Sequence, residues 1–286
     1  MKTIRKHVRR LIGPTALAAV LVGAVPASAM VIVGATVIDG TGAPRRKAEV
    51  RVEGGRITAI GRLKPRAGEP TVDGSGLVLA PGFIDTHSHH DIGLDADRGA
   101  TAAVAQGITT IVIGQDGSGT HPIATFFRQL SKRPAAVNVA AYAGHNVIRK
   151  IALGDNAART ATAQEQARMV AMVNRDMAAG ALGLATGLEY DPGRNAAPGE
   201  VLGLAKAAAR HGGRYISHLR SEDRDLWAAV DEIIAIGRAT RRPVQISHAK
   251  LAMTDLWGQG SVLLARLDAA RTVSYTHLTL PTNREV

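Results

Sequence analysis

The sequence predicts an α/β fold: an incomplete (β/α)8, TIM-type barrel of about six strand-helix units, with a small N-terminal β-domain ahead of it. Three observations lead there. Short, glycine-punctuated strands fill residues 31–79, and beyond Pro81-Gly82 apolar strands alternate with amphipathic helices, as a parallel sheet requires. The polar residues that stand out then follow strand C-terminal ends, where such a barrel places its chemistry. A doubly wound open sheet is the competing fold, but no dinucleotide-type glycine fingerprint supports it.

Residues 1–29 join a basic start, an apolar run from Ala16 to Val25, and Ala27-Ser28-Ala29, a small-x-small triplet. They read as a signal peptide cleaved before Met30. The apolar run, broken by Gly23 and Pro26, is too short for a stable anchor in a bilayer about 30 Å thick. With no cysteine to take a lipid, the product is expected free in the periplasm or secreted.

Residues 30–80 form the β-domain. Its strand-like runs are Val31 to Ile38, Val50 to Ile60 and Leu77 to Leu79, with turns such as Asp39-Gly40-Thr41-Gly42 and Glu53-Gly54-Gly55. From 81 to 271, strands are expected near 83–87, 108–114, 137–143, 181–187, 214–218 and 243–248. Thr162 and Glu165 make a capping box ahead of Ala167, Val170, Val173 and Met177, and Gly180 stops that helix. Ser221 is expected to cap the next helix, whose Leu226, Val230, Ile233 and Gly237 share a face. Six units leave the barrel roughly 60 residues short of the usual 250 or so. Residues 272–286, without Ala or Gly and carrying Pro281, continue neither the last helix nor a seventh strand. They read as a non-native tail on a truncated enzyme.

Composition narrows the chemistry. Without cysteine, disulfide scaffolds, thiolate zinc sites and thiol nucleophiles are excluded. The formal charge of +11 is inflated by Lys2, Arg5, Lys6, Arg9 and Arg10 in the leader; removing these five leaves 30 basic against 24 acidic residues, a net of +6. With aromatics at 3% and no basic block longer than Arg45-Arg46-Lys47, a nucleic-acid partner is not expected.

The sharpest local signal is Pro81-Gly82-Phe83-Ile84-Asp85-Thr86-His87-Ser88-His89. Side chains alternate along a strand, so His87 and His89 face the same way and can share a divalent metal. Such a pair alone says little. Tyr215-Ile216-Ser217-His218 and Gln245-Ile246-Ser247-His248 each add a histidine at the end of a separate strand, so that four converge on one mouth. His145, after the third strand, is expected to stand behind the ligands or to touch substrate. Arg220 either contacts an anion or pairs with Glu222. His121, His211 and His277 have no such context.

These motifs, with Gly107-Ile108-Thr109-Thr110-Ile111-Val112-Ile113-Gly114 and Gly183-Leu184-Ala185-Thr186-Gly187-Leu188-Glu189-Tyr190, resemble the amidohydrolase superfamily, and within it the N-acyl-D-amino-acid deacylases, over about residues 31–271. The resemblance implies a metal-bearing barrel, a β-domain built from both chain ends, one or two Zn2+ ions, and hydrolysis of the amide of an N-acylated D-amino acid, a small-molecule substrate. His87, His89, His218 and His248 would be metal ligands. Where many relatives carry a metal-binding cysteine, this chain has Asp116, either a ligand or an ordinary turn residue. Glu189 is the other candidate carboxylate ligand, its alternative being a surface glutamate beside Asp191-Pro192.

Lys250 and Tyr190 match positions that hold the substrate carboxylate, the alternatives being a snorkelling lysine and a packed tyrosine. The family's general-base aspartate lies after an eighth strand, for which this sequence has no counterpart. A cyclic amide or an isoaspartyl dipeptide as substrate, and a noncatalytic binding protein, are the competing readings. The oligomeric state is left open.

Overall fold

The computed structural model describes residues 29–273, in two compact units divided between Pro81 and Gly82. The expected leader, apart from Ala29, and the expected tail from 274 onward lie outside the described residues.

The described residues of the first unit form seven strands: β1 (Met30–Val33), β2 (Thr36–Val37), β3 (Arg46–Lys47), β4 (Glu49–Glu53), β5 (Arg56–Gly61), β6 (Thr71–Asp73) and β7 (Val78–Leu79). They form two sheets, ordered β5-β4-β1-β6 and β3-β2-β7. Two of the expected runs are in fact each split. Gly34, at φ +76°, parts β1 from β2, and Gly54 and Gly55, at +59° and +71°, turn the second run into the antiparallel β4–β5 hairpin. Positive φ at both central residues is what a two-residue turn matched to strand twist demands. Val37, Ala48 and Val50 are the core of this unit.

The second unit is built on parallel strands: β8 (Phe83–Asp85), β9 (Ile108–Ile113), β10 (Asn138–Ala141), β11 (Ala143–Gly144), β12 (Gly183–Gly187), β13 (Arg214–His218) and β14 (Val244–Ile246). β10 and β11 are one strand interrupted at Tyr142, whose N–H still donates to Ile113 O (3.0 Å) while Leu182 N–H donates to Ala141 O (2.9 Å). The ladder therefore runs through six positions in chain order, a partial barrel rather than a closed one among the described residues.

Its helices are α1 (Thr101–Val104), α2 (Ile123–Lys132), α3 (His145–Leu153), α4 (Ala163–Ala178), α5 (Pro198–Arg210), α6 (Leu226–Thr240) and α7 (Gly260–Val273). Side-chain alternation gives the strands two faces. Ile111, Ile113, Leu184, Tyr215, Val244 and Ile246 join the large core that includes Met169, Leu204 and Ile233 of the helices. Val112, Tyr142, Ala185 and Ile216 form a separate inner cluster. Ile216 thus sets the face on which His218, two residues on, emerges.

The capping box of α4 forms as read: Glu165 N–H donates to Thr162 Oγ1 (3.2 Å) and Thr162 N–H to Glu165 Oε2 (2.8 Å). Ser221 is corrected. The N-cap of α6 is Asp225, and the Ser221 hydroxyl accepts from Asp225 N–H at 3.0 Å, organising the turn that leads into the helix.

Candidate metal centre

Each histidine reaches the site from the end of a strand or just beyond it. Past the end of β8, Asp85 Oδ1 accepts from His87 N–H (3.1 Å), and Ser88 N–H still donates to Val112 O (3.0 Å), so the segment keeps the register of the sheet. His90 turns aside onto Ser88, Nδ1 to Oγ 2.7 Å. The loop after β9 is fastened by Gln115, whose Nε2 donates to Thr86 O and Val112 O, both at 3.0 Å. Gly114 before it has φ +78°, and a Cβ there would meet Tyr142 O at 2.5 Å. Asp116 follows in the left-handed region at φ +55°, a conformation aspartate tolerates better than most residues. His218 closes β13, while His248 lies in the loop after β14.

The geometry is convergent. Asp116 Oδ2 is 3.3 Å from His87 Nε2 and 3.2 Å from His89 Nε2. His218 Nδ1 is 3.1 Å from His248 Nε2, and the His87 and His248 rings stand 5.7 Å apart between centroids. Among the described residues there are three sets in each of which the ligating atoms lie within 4.8 Å of one another: His87, His89 and Asp116; Asp116, His218 and His248; and Glu189, His218 and Glu222. Asp116 belongs to the first two sets and so stands where a shared ligand would.

Electrostatics agrees with that arrangement. Burial opposes ionisation of Asp116, yet the bond and charge of His87, with Ser247 and His248, outweigh it and hold the carboxyl down at about 2. Burial likewise opposes ionisation of Glu222, and His248, Lys250 and His218 together bring it below the ordinary carboxylate range. The Tyr190 hydroxyl is pushed well above its usual value by burial and by the neighbouring carboxylates of Asp116, Glu222 and Glu189.

The donor set fits zinc. Ligands held about 2.0–2.2 Å from a tetrahedral ion sit roughly 3.4 Å from one another, close to the 3.1–3.3 Å separations above. Asp116 Oδ1 and His87 Nδ1 are buried without a hydrogen-bond partner, so the site is not already satisfied from within.

Four other candidates are placed as follows. Tyr190 leans edge-on against His218 at 4.9 Å between centroids and donates its hydroxyl proton to Asp116 O (3.0 Å), with 39% of the residue exposed. Lys250 reaches Glu222 Oε2 through Nζ. Glu189 Oε2 accepts from His218 Nε2 at 2.8 Å, the contact that places it in the third ligand set. His145 is fully buried at the start of α3, Nε2 on Glu200 Oε1 at 3.0 Å and Nδ1 on Asn146 Oδ1 at 3.2 Å, turned toward the glutamate that α5 supplies.

Arg220 does not join the cluster and does not pair with Glu222. Its Nε and Nη2 both donate to Glu232 at 2.8 Å, and it lines a groove of about 680 Å³ with Leu202 and Ile236, away from the histidines. The strand ends at His218, so alternation no longer governs residue 220. Glu222 is the residue that sequence reasoning missed. It is 3% exposed and touches His248 and Lys250 together. A glutamate four residues after a strand-end histidine, with lysine two residues after the next such histidine, is the signal that could have found it.

No protein-family model matches the chain. N-acyl-D-glutamate deacylase of Alcaligenes xylosoxydans xylosoxydans is 39% identical over 264 residues, covering 85% of this chain and 54% of that protein. The crystal structure of N-acyl-D-glutamate deacylase from Bordetella bronchiseptica, complexed with zinc and a phosphonate inhibitor, is 37% identical with a TM-score of 0.82, over 88% of this chain and 57% of the other. A D-aminoacylase crystal structure, described as defining a novel subset of amidohydrolases, is 34% identical with a TM-score of 0.81 over the same shares. The chain spans about half the length of the curated relatives it matches. Identity of this order along most of the chain, with a common fold over the matched part, makes the chain homologous to about half of the length of these deacylases.

Proposed function

We propose that this chain carries the metal-binding part of a zinc-dependent hydrolase that cleaves the amide bond of N-acylated D-amino acids. The observation that supports it is the meeting of four histidines and Asp116, from four separate strand ends, in a chain homologous to deacylases. His218 and His248 with Asp116 would hold one ion, and His87 and His89 with the same carboxylate a second. Bound zinc supplies a Lewis acid for the acyl carbonyl and lowers the pKa of water from 15.7 toward about 7.

The chain's own groups do the positioning. Lys250, with half its side chain exposed, presents an ammonium to the α-carboxylate of the substrate, and the Tyr190 hydroxyl, kept protonated, donates beside it by exchanging its bond to Asp116 O for one to the substrate. Fixing that carboxylate turns one enantiomer's amide toward the ligand cluster. The proton acceptor is not among the residues assigned here; the family resemblance puts it after an eighth strand.

The reading is tested by titrating zinc-loaded protein with N-acetyl-D-methionine, N-acetyl-L-methionine and dihydrouracil in a calorimeter, with amine release followed in parallel. Binding selective for the D-acylamino acid is expected; binding confined to the cyclic amide overturns the substrate assignment. We further propose export through residues 1–29. No described helix is long and apolar enough to cross a membrane. Mass spectrometry of the exported protein should find Met30 at its N-terminus.

A further inference from the structure

Glu222 touches four different parts of the site with four different groups. Its N–H donates to Glu189 Oε1 (3.2 Å), and Glu189 Oε2 in turn accepts from His218 Nε2 (2.8 Å). Its carbonyl accepts from Ala252 N–H (3.1 Å), tethering the loop that carries His248 and Lys250. One carboxylate oxygen contacts His248 Nδ1, close but without the alignment of a finished hydrogen bond, and the other contacts Lys250 Nζ. The nitrogens left facing each other are His218 Nδ1 and His248 Nε2, 3.1 Å apart, on the two rings that form a ligand set with Asp116.

We propose that Glu222 is a positioning residue for the metal centre. Through Glu189 it orients His218, and through its own carboxylate it orients His248, so that each ring turns opposite nitrogens to the carboxylate and to the ion. Glu189 then stands behind His218 rather than on the metal. A carboxylate holding the rear nitrogen of a histidine fixes its tautomer and raises its basicity as a ligand. The same carboxylate holds Lys250, which ties the placement of a metal-facing ring to that of the substrate-facing ammonium. At 3% exposure Glu222 has little water to compete for these contacts. The inference rests on the metal-dependent reading above.

The test uses the full chain and zinc alone. Competition with a chromophoric chelator should show zinc bound about 10–100-fold more weakly by Glu222→Gln than by the parent, with Glu222→Asp in between. Nitrogen-15 NMR of the histidine rings in the unsubstituted, zinc-loaded chain should find His248 coordinated through Nε2 and His218 through Nδ1. That measurement stands even if the variants fail to fold. Coordination of His248 through Nδ1, or a folded Glu222→Gln chain with zinc affinity within about twofold of the parent, overturns the proposal. If His248→Ala binds zinc as the parent does, the metal reading itself fails along with it, which separates the two results.

Discussion

Nδ1 of His218 lies 3.1 Å from Nε2 of His248, although the residues are 30 apart in sequence and arrive from two different strand ends. Two neutral imidazoles at that distance share at most one proton, whereas a cation accepts a lone pair from each. His218→Ala and His248→Ala should therefore each lose the ion that these two rings hold with Asp116, leaving at most the one on His87 and His89 after dialysis, measured by inductively coupled plasma mass spectrometry. Parent-like zinc content in both would refute the assignment.

Asp116 is common to two of the three ligand sets, and this makes a stoichiometric prediction. Asp116→Asn removes the anion from both and should lower occupancy at both. His89→Ala, whose imidazole belongs to one set only, should lose at most one ion. Zinc per chain in the two variants decides it: equal losses would show that Asp116 serves a single ion.

Much of this was legible in the residues because barrel strands are short apolar runs that announce themselves, and all six positions lie within a few residues of where periodicity put them. Histidine at strand ends was likewise readable, since alternation fixes which way a side chain leaves a strand. Legibility failed where the backbone leaves the ladder. Arg220 is two residues past His218 but already in a turn, and its guanidinium runs to Glu232 on α6. Glu222 lies deeper in the same turn, and only three-dimensional closure brings it to Lys250. In the β-domain, the glycines that split two runs into four strands act through positive φ, which hydrophobic pattern does not register.

Glu69 supplies an acid-sensitivity prediction for the β-domain. Arg51 donates to it from Nε (2.6 Å) and Nη2 (3.0 Å), and these bonds, with the Arg66 amide, hold its carboxyl at about 2. A folded-state pKa below the unfolded one contributes stability that is complete above the ordinary glutamate range near 4.3 and is lost as pH falls through the folded value. Glu69→Gln should be less stable than the parent at neutral pH and should lose less on acidification. Thermal unfolding followed from about pH 6 to about pH 2 checks this; parallel curves would exclude Glu69 as a source of the acid dependence.

Arg149 and Glu200 offer a sharper energetic test. Arg149 is fully buried, donating from Nη1 to Glu200 Oε1 (2.6 Å), from Nε to Pro192 O (3.1 Å) and from Nη2 to Asn195 O (3.3 Å). It thereby anchors the loop that follows Glu189 and Tyr190. Removing the cation alone leaves the Glu200 carboxylate buried with only His145, so Arg149→Met should cost about 3–5 kcal/mol. Replacing both partners removes the lone charge, so Arg149→Met with Glu200→Met should be more stable than the single variant, because the penalty lies in the uncompensated carboxylate more than in the lost attraction. Urea unfolding of the two chains distinguishes the cases. A double variant no more stable than Arg149→Met would show that the loop carbonyls, rather than the ion pair, are what Arg149 is needed for.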